Sequence, residues 1–137
     1  MSTGGNIVVN AKEQIESDID QSTIDAFHKM WDTFPSMVML LKKDRTILAL
    51  NKVGRDLGIE PCIKCYQMAG RKGIHEGCKA DLALGAGDAE RSVSYIEKTK
   101  KVLDSYWLPI TGEKDVYIHF ATDITEYAKK EMFPASE

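Results

Sequence analysis

The stretch FPSMVMLLKKDRTILALN, residues 34–51, holds two short apolar runs around a polar turn. Met37 to Leu41 is the first run. Thr46 to Leu50, partly β-branched, is the second, and Lys43, Asp44 and Arg45 separate them. Apolar runs of this length, bounded by turn residues, read as a β-hairpin. Pro35 disfavours the α region for Phe34, so any helix upstream has to end there. Asn51 can accept backbone N–H bonds at the start of a short helix through Leu57, and Gly58 suits the left-handed residue after it.

Upstream, Ile24, Phe27, Trp31 and Phe34 recur at three- and four-residue spacing, an amphipathic helical stripe. Two capping-box patterns precede it, Asn10 to Glu13 and Ser22 to Asp25, with Ile15 and Ile19 four apart between them. Downstream, residues 58–78 are irregular, and Lys79 to Leu84 reads as a helical turn or two closed by Gly85 and Gly87. Three strands then follow: Ala89 to Lys98, Lys100 to Ile110 and Val116 to Thr122, the last two joined by a turn at residues 111–115. The run from Val116 to Ala121 is apolar on both faces apart from His119, so it needs cover on both sides. The N-terminal helix is expected on one face and the internal core on the other. Asp123 or Thr125 then caps an expected terminal helix. The resulting division is a flexible tail (1–10), an N-terminal helical cap and dimerisation segment (11–35), a core (36–123), and a C-terminal helix and tail (124–137).

Composition excludes several classes. The chain has 137 residues, enough for one domain, and 43% are hydrophobic, enough for a core. Lys plus Arg number 18 against 21 Asp plus Glu, a net charge of −3, which does not suit a nucleic-acid binder. No apolar run is long enough to span a bilayer. Residues 1–10 carry no charged, apolar leader pattern, and three cysteines do not pair evenly. A reducing, cytoplasmic setting is therefore expected. No P-loop, G-x-G-x-x-G, G-x-S-x-G or H-E-x-x-H pattern occurs, so catalysis is not expected.

The order of elements, the Phe34-Pro35 to Asn51 opening, the Gly112 turn and the Asp123-Ile124-Thr125-Glu126 exit together resemble a PAS domain over roughly residues 24–130. The resemblance implies an α+β fold: a five-stranded antiparallel sheet with short helices on one face and an amphipathic N-terminal helix. It also implies a sensory or interaction role within signal transduction. An effector domain or partner signalling protein would receive the output, and a homodimer is expected through the N-terminal helix. Period-two counting puts Tyr117, His119 and Ala121 on one face. By the resemblance that face lines a ligand pocket, with Trp107 and Ser105 on the preceding strand. Core packing is the simpler account of both His119 and Trp107. A small-molecule ligand is one expected occupant; haem on His119 is a lesser one.

All three cysteines lie in the irregular middle, in the pattern C-x2-C-x9-H-x2-C: Cys62, Cys65, His75 and Cys78. Two close pairs separated by a loop suit a tetrahedral site, and thiolate and imidazole donors favour zinc or an iron–sulfur cluster over magnesium or calcium. Lys64, Arg71, Lys72 and Lys79 surround them against only Glu76. Cations of this kind stabilise thiolates, although a solvated loop has the same composition. Some bacterial PAS domains carry Cys-Tyr, about ten residues, then Cys-x-x-Cys in this segment. Cys65-Tyr66 and Cys78 match that pattern, and His75 departs from it. Three readings stay open: a metal or iron–sulfur centre, a redox-active thiol pair, and inert cysteines. At the level of function the alternatives to a sensor are a ligand-free dimerisation module and a small thiol redox protein.

Overall fold

A computed structural model describes residues 19–134. The Asn10 capping box, Ile15 and the tail at 1–10 lie outside the described residues. Helix α1 (Gln21–Trp31) leads into the hairpin β1 (Val38–Lys42) and β2 (Ile47–Leu50). Helix α2 (Lys52–Asp56), a 3₁₀ turn (Cys65–Ala69) and helix α3 (Ala80–Ala86) follow. Strands β3 (Glu90–Ile96), β4 (Lys101–Pro109) and β5 (Val116–Asp123) complete one antiparallel sheet in the order β2-β1-β5-β4-β3. The first and last strands of the sequence thus meet at its centre, with Met39 opposite His119 and Leu41 opposite Tyr117.

The central strands are apolar on both faces because both faces are covered. On the outer face, Ile24 and Phe27 of α1 pack with Val38, Leu40, Val116 and Ile118. Trp31, Phe34 and Phe120 close the end of this layer, with ring centroids 5.2–5.6 Å apart. On the inner face, Met39, Leu41, Ile47, Trp107 and Tyr117 pack with Ala80 and Ala83 of α3.

Asn51 locks the two layers together. It is fully buried, and its Oδ1 accepts from the Val38 N–H at 2.9 Å and the Gly54 N–H at 3.3 Å. Its amide donates to the carbonyls of Trp31, Phe34 and Ser36 at 3.1, 3.2 and 2.8 Å. One side chain therefore caps α2, ties down the end of α1 and sets the entry to β1. Beside it, a Cβ on Gly54 would come within 2.9 Å of the Leu50 Cβ, so only glycine lets α2 approach β2 this closely.

Two expected features differ. Helix α1 begins after Asp20, and the Ser22 to Asp25 capping box is not formed. Gln21 holds the Asp25 carboxylate at 3.0 Å, and Thr23 is drawn to Glu113 at 2.7 Å. The expected terminal helix is replaced by two 3₁₀ turns, Thr125–Tyr127 and Lys130–Met132. Asp123 accepts from the backbone N–H and the hydroxyl of Thr125, and the Thr125 Oγ accepts from the Val102 N–H at 3.0 Å. The exit is thereby stitched to β4, and Ala128 and Lys129 are extended rather than helical. No helix among the described residues is long and apolar enough to cross a membrane.

Candidate functional site: a cavity beneath the sheet

A cavity of about 390 Å³ lies between the inner face of the sheet and the middle segment. Tyr117 and His119 of β5, which period-two counting puts on one face, and Trp107 of β4 line it. Ser105 and Ala121 are paired across β4 and β5 on the same face, but they do not line the cavity; Leu103 does.

His119 is held in one tautomer. Its Nδ1 lies 2.8 Å from the Tyr106 carbonyl, which can only accept, so Nδ1 carries the proton and Nε2 keeps a lone pair. Burial drives its pKa down to about 4, against the Tyr106 carbonyl, which favours the charged ring, and His75 adds to the fall. The ring is therefore neutral at pH 7. Trp107 lies flat against it, with centroids 4.7 Å apart and planes 16° apart. The Nε2 lone pair can accept a hydrogen bond or serve a metal. Burial also pushes the Tyr117 hydroxyl up, so it stays a neutral phenol.

The four expected metal ligands are not brought together. The Cys62 to Cys65 segment runs along the free edge of β2. The Cys62 N–H donates to the Ile47 carbonyl, the Ile47 N–H to the Ile63 carbonyl, and the Cys65 N–H to the Arg45 carbonyl, each at 2.9 Å. Lys64 pairs with Thr46 and reaches Asp44 at 3.1 Å. Cys62 sits at a left-handed turn and Cys65 opens the 3₁₀ turn, so the two side chains reach different layers. Cys62, at φ 83°, packs with the outer layer. Cys65 and Cys78 pack with the inner one and line the cavity together with His75. Among the described residues no group of three or more His, Cys, Asp or Glu side chains is placed to hold a metal. A tetrahedral zinc or four-ligand iron–sulfur set does not fit this arrangement.

No protein-family model and no curated protein sequence matches the chain. Among solved structures, the PAS domain of BvgS from Bordetella pertussis superposes with a TM-score of 0.50 at 17% identity, over 77% of this chain and 88% of that one. A domain of an HTR-like protein from Haloarcula marismortui has a TM-score of 0.48 at 19% identity, over 66% of this chain and 99% of that one. The chain has a PAS fold.

In this PAS fold the residue that sequence reasoning missed is Arg45. It sits at the hairpin turn with φ 76° and is only 2% exposed. It donates to the Lys43 carbonyl and, at 3.0 Å, to Asp81 of α3, a carboxylate that is itself 61% exposed. It also lies beside Cys78 and close to Tyr117. Its Nε is buried without a partner. In sequence it is one of three polar turn residues, and nothing marks it as the buried one. Behind the PAS cavity it supplies a positive charge that is only partly answered. Burial pushes the nearby Cys65 thiol up, with Cys78 adding to the effect and Arg45 opposing it.

Proposed function

We propose that this PAS chain is a sensory module of signal transduction that receives its cue in the inner cavity. The observation that carries this reading is the double role of β5. Tyr117 and His119 wall the cavity, while Ile118 and Phe120, one residue on in each case, pack in the layer built with α1. A cue that shifts β5 therefore acts directly on α1. Transmission then requires two arrangements of β5 against α1, between which the cue selects. The Asp123–Thr125 stitch couples the same strand to the exit turns. An effector domain or partner signalling protein takes the output. The apolar groove along Phe27, Met30, Trp31 and Ile118 is where a second copy would dock. The three cysteines suit a reducing, cytoplasmic setting.

Nuclear magnetic resonance with small aromatic fragments, indole and benzimidazole among them, tests the relay. Fragments should move the Trp107 indole and His119 ring resonances and, at saturation, the amides of α1. Cavity binding that leaves the α1 amides in place supports the alternative of a plain interaction module and overturns the relay. Failure of every fragment to reach Trp107 or His119 overturns the cavity as the receiving site.

A further inference from the structure

The composition of the cavity wall is unusual for this chain. Three of its six methionines (Met37, Met39 and Met68) and two of its three cysteines (Cys65 and Cys78) line this single space. Methionine often serves only to fill gaps in a core, but here three methionines line a cavity that they share with two cysteines. Thiolate and thioether sulfur select soft ions, Cu(I) above all, and are poor partners for hard cations.

Charge supplies the second, independent observation. Arg45 is buried with its Nε unpartnered, its one carboxylate partner is largely in water, and its guanidinium meets Cys78. A buried cation so incompletely paired is costly unless further negative charge reaches it.

We propose that Cys65 and Cys78 bind Cu(I) as a dithiolate in this cavity, with a thioether of Met37, Met39 or Met68 as third ligand and Arg45 as counter-ion. The proposal rests on the cavity being the receiving site and names its cue. On loading, two S–H protons leave to solvent and two S–Cu bonds form; the ion enters and remains as Cu(I), so no electron is transferred. Two thiolates and one monovalent cation leave a single negative charge, which the guanidinium neutralises. A divalent zinc ion on the same two thiolates would leave no such charge for the guanidinium to answer. Cys62, on the outer side of the sheet, takes no part.

Anaerobic competition with the chromogenic Cu(I) chelator bicinchoninate reads the site. One Cu(I) per chain should transfer to the protein. Cys65→Ser and Cys78→Ser should each weaken retention by more than about 10-fold, the lower end of what even supporting groups around a metal contribute. The Met39→Leu/Met68→Leu double variant should weaken it less, and Cys62→Ser should not change it. A variant-free measurement runs beside this: copper loading should protect Cys65 and Cys78, but not Cys62, from alkylation by iodoacetamide. No transfer, equal retention by Cys65→Ser, or loss with Cys62→Ser would each overturn the proposal, as would alkylation of Cys65 and Cys78 unaltered by copper. The cavity reading fails separately. A chain that takes indole beside Trp107 but refuses Cu(I) keeps its cavity and loses this ligand. A chain that holds Cu(I) while the α1 amides stay in place keeps the ligand and loses the relay.

Discussion

The two faces of the central sheet are built by alternate residues of the same strands, yet they differ in kind. The outer face is an aliphatic and aromatic layer, with an apolar groove beside α1, in which Val38 and Leu40 are fully buried. The inner face carries a cavity, two thiols, three thioethers, a neutral imidazole and a half-paired arginine. Dense packing resists displacement, whereas a cavity with unfilled polar groups leaves part of its stabilisation to an occupant. The outer face therefore holds the fold, and the inner face is free to respond.

The largest expected effect tests the first half of that contrast. Leu40→Ala removes a fully buried side chain from the layer under α1 and should cost about 2–5 kcal/mol in denaturant unfolding. A loss under about 1 kcal/mol would show that α1 does not seal the outer face. The inner face should behave differently. Arg45→Met removes a buried charge and strands no other, because Asp81 is largely exposed. Replacing incompletely paired buried ions with apolar groups of similar length is often neutral or better, so stability should stay within about 1 kcal/mol of the parent. A loss as large as that of Leu40→Ala would mean that Arg45 belongs to the structural core rather than to a site.

The contrast also explains which features the sequence displays. Strand positions and the two-faced burial of β5 are legible, because Val116 to Phe120 has a pattern that only a covered strand satisfies. Asn51 reads as a cap, and it is one; its three further bonds to the α1–β1 connection are tertiary and leave no local trace. The middle segment misleads for a specific reason. C-x2-C spacing describes a chelating turn only if both thiols face one side, and here backbone bonds to the edge of β2 fix the segment with Cys62 toward the outer layer and Cys65 toward the inner one. Such bonds are open to almost any side chain, so the spacing cannot announce them. The exit misleads in the same way, because an Asp followed two residues later by Thr can open a helix or close an Asx turn. Thr125 settles the outcome by accepting from Val102, a residue 23 positions away.

The smallest effects separate the two faces by pH. His119, on the inner face, has its pKa lowered from 6.5 to about 4, so the folded state binds fewer protons than the unfolded chain between those values. Its contribution is complete above 6.5 and is lost as pH falls toward 4. On the α1 side, Arg55 holds Asp32 through paired contacts at 2.9 and 3.1 Å and, against some burial and with help from His28, lowers its pKa from 3.8 to about 2. That contribution is complete above 3.8 and is lost as pH falls to about 2. Both members of the pair are a third or more exposed, so solvent screening keeps the second step small. Unfolding midpoints measured from pH 7 to pH 2 should therefore fall in two stages. His119→Gln should shrink the upper stage alone, and Asp32→Asn should shrink only the lower, to which Asp44, also lowered to about 2, contributes. If His119→Gln leaves the upper stage unchanged, the ring is not held neutral by burial, and its Nε2 does not offer the cavity a lone pair.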